Sequence, residues 1–368
     1  MLTSYDDFPI HQASVPMAYS ATGDVNQYDR YFFNGYTADG GLYFGLALGL
    51  YPNRHVSDAA FCVVRSGVQR SVFASQRAPL DRRDATTVGP IRIEVLEPLQ
   101  RLRLLIDAPE QGLRADLVFD GRSPVLEEPH FFQRIGNRTF FDYTRLTQFG
   151  SWSGWIESDG ERIEVEPAAV SGSRDRSWGI RPIGEPAPAG APVGWPPQFF
   201  WLWAPVNFPS LSTHFDVNEY GDGRRWHEVG ALAPVGTTEP HLVRTVEWRV
   251  QWRPGTRWAD HFEYDLVDWD GSVSTVRLEP IFEFMMRGIG YGHPEFTHGA
   301  WKGESVVAGE ALALPVDTPL TREHVHVQAL CRATYTAPDG RQEYGTGILE
   351  QLAIGPHPSG LTGILDPA

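Results

Sequence analysis

This sequence contains almost no cysteine and almost no lysine. Its 368 residues include 2 cysteines, Cys62 and Cys331, which lie far apart and form no Cys-x-x-Cys pair. This usage excludes a disulfide framework and is typical of inert, buried thiols in a reducing cytoplasm. Lys302 is the single lysine among 31 basic residues. We interpret that bias as the codon usage of a GC-rich genome, which encodes arginine in place of lysine.

Long apolar runs and excess positive charge are also missing. No stretch approaches the roughly 18 consecutive apolar residues that a membrane-spanning helix requires. Residues Met1 to Gln12 lack the basic and apolar segments of a signal peptide. The formal net charge of −15 at pH 7 argues against nucleic acid or an anionic membrane surface as a partner. The sequence therefore predicts a cytoplasmic protein that binds neither nucleic acid nor a membrane.

Motifs that would hold a metal or a cofactor are not found either. The glycines of Gly288–Gly292 lack dinucleotide-binding spacing, and there is no P-loop and no Gly-x-Ser-x-Gly. His324 and His326 share one face of a predicted strand, but no carboxylate or third histidine lies at strand spacing nearby. We interpret both histidines as satisfied polar residues, and the sequence predicts no cofactor and no metal.

Aromatic residues, glycine and proline are abundant. Aromatics make up 12% of the chain, with 37 Gly and 29 Pro, which favours sheets and frequent turns over long helices. In Leu42–Leu50, large apolar residues alternate with Tyr43, Gly45, Ala47 and Gly49. This is the period of a strand, and its mostly small second face suits a close approach by a ligand or a neighbouring element. Similar alternation recurs without a sustained helical period, so we predict a mainly antiparallel β protein.

The length and an internal echo predict two domains. The chain is too long for one ordinary core. Asp116–Phe131 and Asp265–Phe282 repeat the same order of acidic, glycine and aromatic residues at an offset of about 150 residues. We predict an N-terminal β domain at 1–183, a Pro/Gly-rich linker at 184–198 and a C-terminal β domain at 199–368. Without helices to cover the sheets, each domain is expected to be a nearly closed barrel, which can hold one small ligand.

The segment Ser173–Pro182 concentrates charge around a tryptophan. Asp175 lies between Arg174 and Arg176, and Trp178 follows. An aspartate flanked by two arginines is expected to have a lowered pKa and charge-assisted hydrogen bonds. The segment is either a structural clasp between two halves of the protein or the polar corner of an apolar pocket, and the residues alone favour neither.

Three segments of the sequence resemble those of a known family. They are Tyr31–Tyr36 (Tyr-Phe-Phe-Asn-Gly-Tyr), Gly49–Asn53 and Arg174–Gly179. Together they resemble the AttH and carotenoid 1,2-hydratase (hydroxyneurosporene synthase) superfamily over most of residues 30–350. The resemblance implies two tandem lipocalin-like (calycin) barrels. For Asp175 it implies the role of the aspartate that protonates a carbon–carbon double bond. The family usually has histidine where this chain has Arg176, and a fixed cation there favours the carboxylate, the wrong form for an acid.

Two further segments supply candidate residues. The loop Tyr291–Gly299 holds two histidines, a glutamate and a tyrosine between predicted strands, so it is either a pocket rim or a turn whose side chains satisfy backbone groups. Phe199–Trp203 places Trp201 and Trp203 on one face of a strand, which indicates a core strand first and a pocket wall second.

We therefore predict an enzyme of secondary metabolism, a lyase or an isomerase. It would act on an apolar isoprenoid-, steroid- or polyketide-like molecule by acid–base chemistry at a double bond: hydration, dehydration, isomerisation or cyclisation. The catalytic candidates are Asp175 as acid or electrostatic stabiliser, Arg174 to orient it, Trp178 as a π face for a carbocation, and His293 or Glu295 as the second acid–base group. The substrate-binding candidates are Tyr31, Asn34, Tyr36, Trp201, Trp203, His214, Trp226 and Tyr291.

The alternative function is a non-catalytic carrier of a hydrophobic ligand. The sequence does not decide whether the protein forms a homodimer. Polar residues that converge inside a cavity would favour the enzyme. A wholly apolar cavity, open at one end, would favour the carrier. A pocket filled by side chains would leave only a scaffold.

Overall fold

The computed structural model describes residues 13–82, 84–184 and 197–368. These residues form two curled antiparallel sheets joined by turns and short 3-10 segments. The prediction of a mainly β protein with two tandem lipocalin-like barrels is confirmed, each barrel being a half-barrel. Within the described ranges, none of the helical segments has the length and apolarity needed to span a bilayer.

Nine consecutive strands of the first sheet have the same connectivity as the nine strands of the second sheet. The 14 strands of the first sheet are β1 (Gln27–Thr37), β2 (Tyr43–Tyr51), β3 (Val56–Arg65), β4 (Val68–Arg77), β5 (Thr87–Val88), β6 (Ile91–Glu97), β7 (Arg101–Ala108), β8 (Leu113–Gly121), β9 (Leu126–Glu127), β10 (Phe131–Ile135), β11 (Arg138–Ser158), β12 (Glu161–Val165), β13 (Val170–Ile180) and β21 (Ser305–Ala313). The 9 strands of the second sheet are β14 (Phe199–Asn207), β15 (Leu211–Glu219), β16 (Arg225–Pro234), β17 (His241–Leu242), β18 (Thr245–Trp252), β19 (Ala259–Val267), β20 (Val273–Met285), β22 (Val327–Thr336) and β23 (Gln342–Ile354). The order is β4-β3-β2-β1-β13-β11-β8-β7-β6 in the first and β17-β16-β15-β14-β23-β22-β20-β19-β18 in the second.

The concave face of each sheet is packed with buried side chains. In the first half-barrel, Phe33, Phe44 and Trp152 are fully buried in one apolar cluster. In the second, Phe200 and Phe215 belong to a separate cluster. These residues occupy alternate positions of their strands, so period two places them all inside. The barrel interiors are therefore cores, and the expectation of a ligand inside a barrel is not met there.

The two sheets pack against each other through their other faces. The small residues of β2 make the close approach that their size suggested: a Cβ atom at Gly45 would lie 3.4 Å from Cζ of Phe284. Ala47 and Trp203 belong to the same buried apolar layer between the sheets. Cys62 and Cys331 are buried and free, as predicted.

The echoed segments do not occupy equivalent places. Asp116 lies on β8, three strands from β1, whereas Asp265 lies on β19, four strands from β14. The prediction that the two segments superpose is therefore wrong. The Asp-Gly pairs differ as well: Asp120 and Gly121 are the last residues of β8 and pair with β11, whereas Asp270 and Gly271 lie in the turn between β19 and β20.

One strand of the second half completes the first sheet. β21 pairs with β4 along its whole length, from Ser305 opposite Gln76 to Ala313 opposite Val68. Most of the predicted linker, residues 185–196, lies outside the described residues. The division at 184–198 remains a prediction, and the β21 pairing means that the two halves exchange backbone hydrogen bonds.

Candidate active site

A cavity of about 330 Å³ lies between the two sheets. Its walls come from β11, from the strands around β14 and from the loop of residues 286–304 between β20 and β21. Its aromatic lining includes Phe140, Phe141, Tyr143, Phe199 and Trp201, and its polar lining includes Arg145, Arg181, Tyr291, His298 and His326. Apolar walls with a few convergent polar groups are typical of small-molecule sites.

Tyr291 stands at the junction of the two sheets. Its hydroxyl oxygen accepts hydrogen bonds from Arg30 of β1 and, at 3.2 Å, from Arg181 just after β13. The guanidinium of Arg30 also lies 4.6 Å from the centroid of the tyrosine ring. Because the oxygen accepts from both arginines, the hydroxyl proton is free to point to a ligand.

His326 is paired with a carboxylate on the neighbouring strand. Its Nε2 lies 2.6 Å from Oε1 of Glu350, whose Oε2 accepts a hydrogen bond of 2.6 Å from Gln328. Neutral His326 thus donates Nε2–H to Glu350 and keeps the lone pair of Nδ1, which has no partner among the described residues. Its ring lines the cavity. This carboxylate does not lie at strand spacing from His326 in the sequence, because it comes from β23, and the pair agrees with the interpretation of His326 as a satisfied polar residue.

Asp175 does not pair with the arginines beside it in sequence. In a strand, successive side chains point to opposite faces. Arg174 therefore points into the first half-barrel, where its Nε donates to Oε1 of Gln148 at 2.8 Å, and Arg176 pairs with Asp29. Asp175 faces the second sheet, between the paired positions of Phe32 and Thr147.

The predicted lowering of the Asp175 pKa is also wrong. Burial raises the pKa of Asp175 to about 6, against the opposing charges of Arg145, Arg30 and Arg181. The side chain is half-buried, and its carboxylate has no hydrogen-bond partner in the described part of the chain. Near neutral pH a fraction of this residue is thus the free acid, so Arg176 does not prevent acid chemistry.

Arg145 forms the ionic contact between the sheets. It donates to both carboxylate oxygens of Glu128, at 2.8 and 2.5 Å, and also to Asp216 of β15. Burial opposes ionisation of Glu128, but Arg145 and His214 outweigh it and hold the pKa of Glu128 well below its usual value. Burial and the charge of Glu128 raise the pKa of Asp216 well above its usual value. The clasp predicted around Asp175 is therefore made by Arg145.

The same cluster has the spacing of a metal site. Glu128, Asp216 and His227 offer ligand atoms within 4.8 Å of one another. The guanidinium of Arg145 already lies against both carboxylates. Burial also lowers the pKa of His227 to about 3, which keeps the imidazole neutral. A divalent cation would have to displace the arginine, so the cluster is better described as a charge-balanced clasp.

Several predicted residues lie at the cavity or in the contact between the sheets. Trp201 lines the cavity, and its ring N–H donates to Asp216 at 2.9 Å. Asn34 accepts a hydrogen bond of 2.8 Å from the backbone N–H of Ser173, and Tyr36 accepts one of 3.0 Å from Asn207. The other two in this region are Trp203, whose ring centroid is 6.3 Å from that of Phe32, and His214, which lies 3.5 Å from Glu128.

Other predicted residues lie away from the cavity. Nδ1 of His293 accepts hydrogen bonds from the backbone N–H groups of Glu295 and Phe296, at 3.0 and 2.8 Å, so this histidine holds a turn. The side chain of Glu295 is exposed. The remaining residues are Arg174 and Tyr31 in the first half-barrel, Trp178, which is 41% exposed, and Trp226, which stacks on Phe141 at 5.4 Å behind the cavity wall.

Sequence reasoning missed most of the polar residues that do meet at the cavity. Arg30 and Tyr291 are 261 residues apart in sequence, and His326 meets Glu350 only across a strand pair. Spacing motifs reveal groups on one element, and here the partners come from strands and loops that are far apart in the sequence. The one available signal was the alternation that places His326 and Gln328 on one face.

Comparisons with known proteins agree with this architecture. A family model described as "Family of unknown function (DUF8625)" matches residues 2–362, and no curated protein matches the sequence. A candidate AttH from Nitrosomonas europaea is 16% identical with a TM-score of 0.54, over 93% of this chain and 97% of that one. Kievitone hydratase from Nectria haematococca is 10% identical with a TM-score of 0.56, over 96% of each chain. CghA with Sch210972 is 10% identical with a TM-score of 0.52, over 89% of this chain and 88% of that one. The predicted AttH-like fold is confirmed.

Proposed function

The chain belongs to the family of unknown function DUF8625, and we propose that it is an enzyme that transfers protons to and from carbon in an apolar small molecule. The observation that carries this proposal is the convergence of ionisable side chains from both sheets on one largely aromatic cavity. Tyr291, His326 and Arg181 line this cavity. The charges of Arg145, Arg30 and Arg181 act on Asp175. A carrier needs apolar walls but has no use for a paired histidine and an unpaired acid.

Asp175 is the proposed acid. With a pKa of about 6, about one tenth of it is protonated at pH 7. His326 is the proposed base, because Glu350 holds its Nε2–H and leaves Nδ1 free to accept a proton. A carboxylic acid and an imidazole with a free ring nitrogen are groups that commonly transfer protons in enzymes.

The proposed reaction begins when one carbon of a double bond takes the proton of Asp175. The other carbon then becomes cationic, and the face of Trp201 stabilises it. In a hydration, Nδ1 of His326 removes a proton from the water that adds to the cation. In an isomerisation or cyclisation, it removes a proton from a neighbouring carbon. After hydration, isomerisation or cyclisation, solvent takes the proton from His326 and returns one to Asp175. Dehydration is the reverse of the hydration sequence: protonated His326 gives its proton to the leaving hydroxyl group, and the carboxylate of Asp175 takes the proton from carbon.

The proposed substrate is isoprenoid-, steroid- or polyketide-like. A cavity of about 330 Å³ with six Phe, Tyr and Trp side chains in its wall favours a rigid, extended apolar skeleton. Among the similar structures, one is named a hydratase, which supports hydration or dehydration over the other reactions. A place in cytoplasmic secondary metabolism is part of this proposal.

Isotope exchange tests the proposal without knowledge of the net reaction. Native mass spectrometry of protein purified from its own host identifies a retained apolar compound, which is then incubated with the protein in D₂O. We expect deuterium at carbon with the wild type, and an exchange rate lower by about 100- to 10,000-fold with Asp175→Asn. Asp29→Asn, on the other face of the sheet, should exchange at the wild-type rate. A retained compound that gains no deuterium with the wild type would make the protein a carrier.

A further inference from the structure

Two arginines that contact the hydroxyl of Tyr291 have no carboxylate partner among the described residues. Arg30 is 2% exposed, and Arg181 lines the cavity. Both donate to the hydroxyl of Tyr291, and neither forms an ion pair with an acidic side chain in residues 13–82, 84–184 or 197–368. By contrast, the equally buried Arg145 contacts two carboxylates. Buried arginines are normally paired, because an unpaired buried charge is strongly unfavourable.

Several donors in this region are also unsatisfied. Nε and Nη2 of Arg30 and Nε of Arg181 are buried without a hydrogen-bond partner in the described residues. Nε2 of His298, whose ring lines the cavity 4.4 Å from the ring of Tyr291, has none either. Unsatisfied buried polar groups are rare in folded proteins, and a cluster of them indicates an absent partner.

The nearby acids do not compensate these charges fully. Burial raises the pKa of both Asp58 and Asp175 to about 6, so each holds a proton part of the time near neutral pH. Burial, Arg30 and Arg181 hold the pKa of His298 well below its usual value, which keeps its imidazole neutral. The aromatic faces against the two guanidinium groups, Tyr291 and Tyr28, provide only weak compensation. At pH 6, the two carboxyl groups together supply about one negative charge against two guanidinium groups.

We propose that Arg181 and the hydroxyl of Tyr291 bind an anionic oxygen group of the ligand, a carboxylate or an enolate. Arg30 acts through Tyr291: it fixes the tyrosine oxygen as an acceptor, so that the hydroxyl proton is donated to the ligand. The ligand is then an apolar organic acid whose skeleton lies along the aromatic wall. This inference rests on the proposed function only where it identifies the ligand with the substrate.

The anion site also orients the substrate for the proposed chemistry. The ring centroids of Tyr291 and His326 are 4.7 Å apart. An oxyanion bound by the tyrosine hydroxyl would therefore lie near the proposed base. A double bond conjugated to the anionic group would lie between the tyrosine and the aromatic wall. Charge that develops during proton transfer would be partly balanced by the anion itself.

A matched pair of probes tests the site. Isothermal titration calorimetry at pH 6 compares 1-naphthoate with 1-naphthamide, which has the same size and ring system but no charge. We expect the wild type to bind naphthoate about 10- to 100-fold more tightly, the range for hydrogen bonds to charged groups. Arg181→Met should abolish the preference, and Tyr291→Phe, which keeps the ring volume, should reduce it. Arg322→Met removes an exposed arginine from the cavity mouth and should leave it unchanged, because exposed charges are screened.

The outcomes separate this inference from the proposed function. Equal affinities for the two probes, or a preference that survives Arg181→Met or disappears in Arg322→Met, would overturn the anion site and leave an apolar cavity. Acetate that binds as tightly as naphthoate would overturn the apolar organic acid as ligand. A naphthoate preference in a protein whose retained compound shows no deuterium exchange would support the anion site and refute the enzyme.

Discussion

Two buried arginines, Arg145 and Arg30, should differ greatly in their contribution to stability. We expect Arg145→Met to lower the free energy of unfolding by about 3–5 kcal/mol, the range for breaking a buried ion pair. We expect Arg30→Met to leave it unchanged or raise it. The two changes remove the same charge and volume from the same contact between the sheets, so the comparison isolates the effect of the partner.

The difference in stability depends on which groups lose their partner when each arginine is replaced. The side chain of Arg145 is 6% exposed and that of Glu128 is 0% exposed, so Arg145→Met strands an ionised carboxylate with no access to water. It also removes two hydrogen bonds to Glu128 and one to Asp216. Arg30→Met removes a cation that has no carboxylate partner, and Tyr291 still accepts from Arg181. A methionine adapts to either gap because its side chain is unbranched and flexible.

The assay is urea-induced unfolding, followed by tryptophan fluorescence at pH 5.5. At this pH Asp58 and Asp175, with pKa values of about 6, are mostly protonated and do not need Arg30 as a counter-charge. In the wild type Glu128 is ionised at this pH, because Arg145 and His214 hold its pKa well below its usual value. Adding Glu128→Gln to Arg145→Met should restore most of the lost stability, since the stranded charge is then gone. A loss below about 1 kcal/mol in Arg145→Met, or an equal loss in Arg30→Met, would refute the distinction between clasp and anion site.

Three further predictions concern titration and the exchanged strand. Asp58 has its pKa raised by burial from 3.8 to about 6, so its contribution to stability is largest below pH 4 and falls by about 3 kcal/mol as the pH rises through 6. Asp58→Asn should flatten the stability profile between pH 4 and 6, and a profile as steep as that of the wild type would contradict the shift. If Asp175 is the acid, the deuterium-exchange rate should fall tenfold per pH unit above about pH 6, and a rate that is constant from pH 6 to 8 would exclude it from that role. The fragment 1–183 lacks β21 and should aggregate alone, whereas co-expression with 199–368 should keep it soluble; a soluble, monomeric 1–183 would show that β21 is dispensable.

The sequence predicted the strands well because their signal is local. The alternation in Leu42–Leu50 depends only on which face each residue takes, and the same rule predicted the small face that meets Phe284. The echo of Asp116 in Asp265 was misleading because a similar order of residues does not determine the local structure: Asp120 and Gly121 pair within the sheet, whereas Asp270 and Gly271 form a turn. Which strand pairs with which is a non-local property, so the β21 pairing could not be predicted from pattern.

The candidate site was predicted poorly because neighbours in sequence are not neighbours in a sheet. Arg174 and Arg176 flank Asp175 along the chain, but the pleat turns both to the opposite face. The charges that do act on Asp175 come from Arg145 and Arg30 on other strands and from Arg181 at the end of the same segment. Tyr291 was identified because its loop is rich in polar residues, whereas His293 of the same loop holds a turn away from the cavity.

The pairing of β21 with β4 also sets an order of events during synthesis. Arg77, the last residue of β4, leaves the ribosome about 230 residues before Ser305, the first residue of β21. At about 5–20 residues per second, the edge of β4 stays open for roughly 10–50 s. An open strand edge is a template for pairing with another nascent chain. A chaperone that shields such an edge therefore matters most for this protein while its second half is still being translated.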